Sequence, residues 1–228
     1  MRPHLSSGLL LLIAVLAVTG CVRGKNPDDL DGLMRPRNGG PQPVVPSLPP
    51  AKETSSIPND GASWYTARTV WAGQGINQGN IEPMESIYRI TVHHSGDAND
   101  ALGDPKDNLR RFERAHKLKG WACIGYHYII SRDGTVYEGR PIAYQGAHAV
   151  GDNNKGNIGI CLMGNLDNRP VPNAQKKSLF AVLDRLTRQY SVAKDELFGH
   201  RHFKTTDCPG RYGLLALEEY KNRPLARK

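Results

Sequence analysis

The chain has 228 residues, enough for one large domain or two small ones, and its 39% apolar content suffices for a packed core. The formal net charge of +8 is mildly basic. It comes without any dense Lys/Arg run interleaved with aromatics, which argues against nucleic acid as a partner.

The first segment, MRPHLSSGLLLLIAVLAVTGC, carries Arg2 and then an apolar stretch from Gly8 to Val18. That stretch is too short to span a bilayer comfortably and fits the hydrophobic region of a signal peptide. It ends in Val18, Thr19, Gly20 and Cys21, which resembles a bacterial lipobox. On that reading residues 1–20 are a lipoprotein signal and Cys21 is the acylated first mature residue. Acyl chains hold a protein to a membrane by ~0.8 kcal/mol per buried CH₂. Val22, where Asp would redirect sorting, resembles the pattern for an outer membrane facing the periplasm. No other segment has the length and apolarity to cross a bilayer.

Residues 21–60 hold eight prolines, from Pro27 to Pro58, and few large apolar side chains. Such a composition cannot offset its ordering entropy and reads as a disordered, partly polyproline II tether. From residue 61 to 228 the composition is that of a single globular domain. YRITVH (88–93) predicts a short strand with Ile90 and Val92 on one face. GDPKDNLRRFERAHKLKG predicts a helix with Asp104 as N-cap, Pro105 at the first helical position and Gly120 just past the end. Leu109, Phe112 and His116 share a face of it. YHYIISRDGTVYEGR predicts two strands joined around Asp133-Gly134. NIGICLMG (157–164) is a continuous apolar run that predicts a central strand. NAQKKSLFAVLDRLTRQY predicts an amphipathic helix capped by Asn173, with Leu179, Val182, Leu183, Leu186 and Tyr190 at helical spacing. GLLALEEYK predicts a shorter last helix. Interleaved strands and helices, with a hairpin among them, predict a mixed α/β domain whose central mixed sheet is flanked by helices.

Three cysteines follow Cys21: Cys123, Cys161 and Cys208. An odd number in an exported chain leaves at least one thiol unpaired. Free buried thiols at Cys123 and Cys161 are preferred to a disulfide between them. Cys208 sits in FGHRHFKTTDCPG, eight residues after His200, in a run with neither helical nor strand period. His93 and His94 end the first long strand, where alternation sends the two rings to opposite faces. Catalytic zinc takes three protein ligands and keeps a fourth position open. His93 or His94 with His200 and Cys208 makes such a trio, and coordination gives an unpaired thiol a reason to persist.

The blocks ITVHHSG, GWACIGYHYIISRDGTVYEGRP, GAHA, NIGICLMGN and FGHRHFKTTDCPG occur in one order, preceded by ARTVWAG. From about Arg68 to Tyr220 the chain resembles the zinc-dependent N-acetylmuramoyl-L-alanine amidases of the peptidoglycan recognition protein and phage amidase superfamily. The resemblance implies one Zn²⁺ held by His93, His200 and Cys208, with Tyr126 and Thr206 as catalytic residues. It implies peptidoglycan as substrate and the amide between N-acetylmuramic acid and L-alanine as the bond cut. His148, in GAHA, is expected to line the substrate groove. A non-catalytic peptidoglycan-binding lipoprotein is the alternative, disfavoured by the presence of all four site residues. Cys123 stands where the family usually has Asp. A monomer, anchored to a membrane through its N-terminal lipid, is the default assembly.

Overall fold

The computed structural model describes residues 65–97 and 103–224. The expected signal segment, Cys21, the Pro-rich tether and residues 61–64 of the expected domain lie outside the described residues.

The elements run β1 (Tyr65–Thr66), α1 (Arg68–Trp71), β2 (Arg89–His94), α2 (Pro105–Leu118), β3 (Tyr128–Ile130), β4 (Val136–Glu138), β5 (Asn157–Leu162), α3 (Asn173–Tyr190), β6 (Leu197–Gly199) and α4 (Arg211–Asn222). The strands form one six-stranded sheet in the order β1-β4-β3-β5-β2-β6. Only β3 and β4 pair antiparallel; the other four pairings are parallel. This is the expected mixed sheet. β5 lies between β2 and β3, and all six of its residues are buried, as a continuous apolar run requires.

The two faces of the sheet are covered differently. On one, Ile90, Val92, Ile158, Ile160 and Leu162 meet Leu179, Val182, Leu183 and Leu186 of α3 and Ala216, Leu217 and Tyr220 of α4. Burying each Leu or Ile fully stabilises by roughly 1.5–3 kcal/mol, so this layer is the main source of stability. On the other face, Ile129, Tyr137 and Cys161 meet Trp71 of α1 and Leu109 of α2. This second layer is smaller and leaves the sheet face beside it available for a site.

α2 starts as its sequence predicts. The Asp104 carboxylate accepts from the Lys106 amide at 2.9 Å, and Pro105 follows. Past its end Gly120 has φ of +83°, a conformation that costs glycine little. The hairpin between β3 and β4 turns through Asp133 and Gly134; Asp133 Oδ1 accepts from the Thr135 amide at 3.0 Å. Gly134 has φ of +90°, and a Cβ there would lie 2.8 Å from the Ala174 carbonyl oxygen.

α3 differs from expectation at its start. Pro172, not Asn173, occupies the N-cap position, and no side chain caps the helix. The extended backbone at Pro172 presents its carbonyl to the Lys176 amide at 2.9 Å, so Asn173 is already the first helical residue. No disulfide joins Cys123 to Cys161, as expected, and both thiols are fully buried. A buried ion pair joins Arg68 of α1 to Glu113 of α2. Arg140, 2% exposed, is held by the carbonyls of Ile124 (3.0 Å), Gln145 (2.7 Å) and Cys123 (3.5 Å).

Candidate metal centre

Strand alternation separates the paired histidines of β2. His93 pairs in register with Cys161, and its ring turns to the face that also carries α2. His94 turns the other way, and its Nδ1 accepts from the Leu166 amide at 3.1 Å, tying down the loop after β5. That hydrogen bond gives His94 a structural role. The His94 main chain serves the site instead: its amide donates to Cys208 Sγ at 3.4 Å.

β6 pairs with β2 as far as Gly199, opposite Val92. One 3₁₀ turn, His200–His202, then lifts the chain off the sheet. The loop returns at Cys208, whose carbonyl accepts from the Arg201 amide at 2.8 Å, and a cis peptide bond leads into Pro209. Two further contacts set the ends of the loop. The Thr206 hydroxyl accepts from the Cys208 amide at 3.3 Å, and the His202 ring stacks on Phe198 with centroids 4.1 Å apart.

The result brings three donors together. One ligand atom from each of His93, His200 and Cys208 lies within 4.8 Å of the others. His93 Nδ1 and Cys208 Sγ are 3.6 Å apart, and the two histidine rings are 4.5 Å apart. Tetrahedral bonds of about 2.0–2.3 Å put ligand atoms roughly 3.3–3.8 Å from one another, so small adjustments suit the trio to zinc. Two imidazoles and a thiolate are also the donor types that favour it. Protonation states agree with that reading. Burial pushes His93 well below the usual imidazole range, helped by His148 and His200 beside it. Burial, with Lys204 nearby, pushes His200 down to about 4. Both rings are therefore neutral at pH 7 and have lone pairs to give. Burial pushes the Cys208 thiol up to about 12 in the absence of an ion, so a metal must displace its proton.

The remaining histidines surround this centre in distinct roles. The Tyr126 ring lies 5.1 Å from the His93 ring and is partly buried. His148 is 6% exposed and lies beneath His93: its Nδ1 is 3.0 Å from His93 Nε2, and its Nε2 is 3.1 Å from the Asn157 carbonyl. The groove position expected for it is therefore a buried one, with both ring nitrogens engaged. His127 is buried beside it. Its Nδ1 accepts from the Gly159 amide at 2.9 Å, and its Nε2 faces the Tyr144 carbonyl at 3.0 Å. His116, on α2, accepts from the Gly125 amide through Nδ1 at 3.1 Å, lies tilted against the Trp121 ring and meets Tyr126 edge-on. The sequence does not name Asn157 or Gly159 as neighbours of the site. Nothing in their spacing announces that their main chains receive two histidine rings.

Comparisons with known proteins place the chain in a family. The family model described as N-acetylmuramoyl-L-alanine amidase matches residues 83–211. The chain is 32% identical over 179 residues to peptidoglycan-recognition protein SD of Drosophila melanogaster, covering 74% of this chain and 91% of that protein. It is 38% identical over 136 residues to the endolysin of Escherichia phage T7, covering 57% and 84%. Among solved structures it is similar to the N-acetylmuramoyl-L-alanine amidase LysC of Clostridium intestinale, with a TM-score of 0.58, 29% identity, and coverage of 69% of this chain and 94% of that one. The chain belongs to the N-acetylmuramoyl-L-alanine amidase family.

Proposed function

We propose that this chain is a zinc-dependent N-acetylmuramoyl-L-alanine amidase that cuts peptidoglycan between N-acetylmuramic acid and L-alanine. The observation that carries the proposal is the convergence of His93, His200 and Cys208 within 4.8 Å, with the Tyr126 ring 5.1 Å from His93. Family membership and relatives that include an amidase, an endolysin and peptidoglycan recognition proteins support the same substrate.

In this reading His93, His200 and Cys208 hold the ion. A zinc ion bound there supplies Lewis-acid activation of water and of the scissile carbonyl. The protein's own part is to position and stabilise. Tyr126, beside His93, donates its hydroxyl hydrogen toward the oxygen on which charge develops. The Thr206 hydroxyl accepts from the Cys208 amide and so keeps its own hydrogen free to donate to the same oxygen. His93 and Cys208 are buried and His200 is partly exposed, so substrate would reach the centre from the His200 side.

The location of the protein rests on its sequence: residues 1–20 as a lipoprotein signal, Cys21 as the acylated residue, and residues 21–60 as a tether from the membrane to the domain. The deciding experiment is digestion of purified peptidoglycan by the full chain, with zinc and with a chelator, read by mass spectrometry. Chelator-sensitive release of intact stem peptides with a new L-alanine amino terminus is the expected result. Retention on the wall without any release, even with added zinc, would replace the amidase by a binding protein.

A further inference from the structure

We propose that His148 is a positioning residue for the metal: it locks His93 in the tautomer that presents Nδ1 to the ion. The inference rests on the metal reading above and extends it to a residue that touches neither ion nor substrate.

The hydrogens follow from the network. A backbone carbonyl can only accept, so the Asn157 carbonyl, 3.1 Å from His148 Nε2, requires the hydrogen of His148 to sit on Nε2. His148 Nδ1 is then a bare acceptor. It faces His93 Nε2 at 3.0 Å, so His93 must carry its hydrogen on Nε2 and donate it. His93 Nδ1 is left with its lone pair free, and that is the atom 3.6 Å from Cys208 Sγ. In the opposite tautomer of His93, two bare nitrogens would face each other across 3.0 Å. Each would be a buried, unsatisfied acceptor, which disfavours that tautomer.

The slot is built for this ring. A Cβ at Gly159 of β5 would lie 2.5 Å from His148 Cδ2, and one at Gly146 would lie 2.3 Å from the same atom. Neither glycine has a positive φ, so backbone conformation gives neither position a reason to be glycine. Room for the imidazole does. The main chain at the ring is fixed as well: the amides of His148 and Ala149 both donate to Asn154 Oδ1, at 2.9 and 2.8 Å. Asn157, which supplies the terminal carbonyl, is tied back to the ligand strand, because Thr91 Oγ1 donates to its Oδ1 at 3.0 Å. Thr91 lies two residues before His93 on the same face of β2. The relay therefore begins and ends on the strand that carries the ligand, and it fixes ring orientation and tautomer together. Outer partners of metal-bound histidines typically contribute 10–100-fold to metal affinity.

The test is the zinc dissociation constant of the full chain, measured by competition with a chromophoric chelator. His148→Phe keeps a ring in the slot but removes the acceptor, and is expected to weaken zinc binding by about 10–100-fold. His148→Asn restores an acceptor oxygen near the place of Nδ1 and should recover most of that loss. A His148→Phe variant that binds zinc within about twofold of the parent overturns the proposal. Should the Phe variant fail to fold, long-range ¹H–¹⁵N imidazole spectra of the metal-free parent decide instead. Both His93 and His148 are expected as the Nε2–H form, and His93 as Nδ1–H refutes the relay. Failure of the metal reading looks different: the parent itself takes up no zinc, while the tautomer spectrum can still be read.

Discussion

Zinc uptake by this chain should release one proton per ion at pH 6. The count follows from the three donors. Burial keeps His93 well below the usual range and holds His200 at about 4, so neither ring carries a proton to lose at pH 6. Cys208, at about 12, carries one in the metal-free protein and none when it ligates. Removing a proton from a group at about 12 in a solution at pH 6 costs about 8 kcal/mol, at 1.36 per unit, and the metal–thiolate bond must exceed that. The metal-bound state holds one proton fewer, so affinity rises with pH, tenfold per unit. The slope should hold between about pH 5 and 6.5, above the titration of His200 and below about 7, where water on zinc begins to lose its own proton. Calorimetric titration in buffers of different ionisation enthalpy measures the proton count directly, and chelator competition across the pH range measures the slope. Two protons per zinc at pH 6 would mean that a ligand imidazole is charged in the free protein. No proton at all would remove Cys208 from the ligand set or make it a thiolate before binding, and either result would refute the reasoning.

Cys208→Ser should lower both zinc content and amidase activity; elemental analysis showing unchanged zinc would remove the residue from the site. Tyr126→Phe should retain zinc and bind peptidoglycan normally, yet turn over about 10²–10³-fold more slowly, as loss of one transition-state donor does. Steady-state hydrolysis of a muropeptide checks this, and near-normal kcat would assign the donation elsewhere. Glu113→Ala leaves the buried Arg68 guanidinium with the carbonyls of Gly139 and Gln74, each at 3.4 Å, as its hydrogen-bond acceptors among the described residues. Breaking one side of a buried pair costs about 3–5 kcal/mol, measurable by urea denaturation, and a loss below about 1 kcal/mol would contradict the burial argument.

The elements of this fold were legible in sequence wherever local chemistry decides them. Asp104 and Pro105 announce the start of α2 because capping is a matter of a few adjacent residues. The apolar run of β5 announces a strand covered on both faces. The start of α3 lies one residue before the Asn173 cap that the sequence suggests, because the Pro172 carbonyl, which has no side-chain signature, accepts the first helical hydrogen bond. The ligand trio could be assembled from residue types, but the choice between His93 and His94 needed the family resemblance. The structure gives the physical basis: the opposite ring is already spent on the Leu166 amide. The role of His148 could not be read at all. Its acceptor is a main-chain carbonyl on β5, and main-chain groups leave no signature in a sequence. Cys123 was legible as a departure from the family. Its thiol donates to the Ile124 carbonyl at 3.5 Å, beside an Arg140 that donates to the carbonyls of Ile124 and Gln145.

The donors of the centre also have a bearing on the architecture around them. His93 and Cys208 are 115 positions apart, and the strand that brings the second donor home, β6, is only three residues long at the edge of the sheet. An ion held by both would staple that edge to the neighbouring strand, β2. Because such an ion leaves when the chain unfolds, the staple strengthens with the free metal concentration, by RT ln(1 + [L]/Kd), about 2.7 kcal/mol at a hundredfold excess over Kd. A chelator would then act twice on this protein, silencing its chemistry and loosening the short edge strand from which His200 and Cys208 hang.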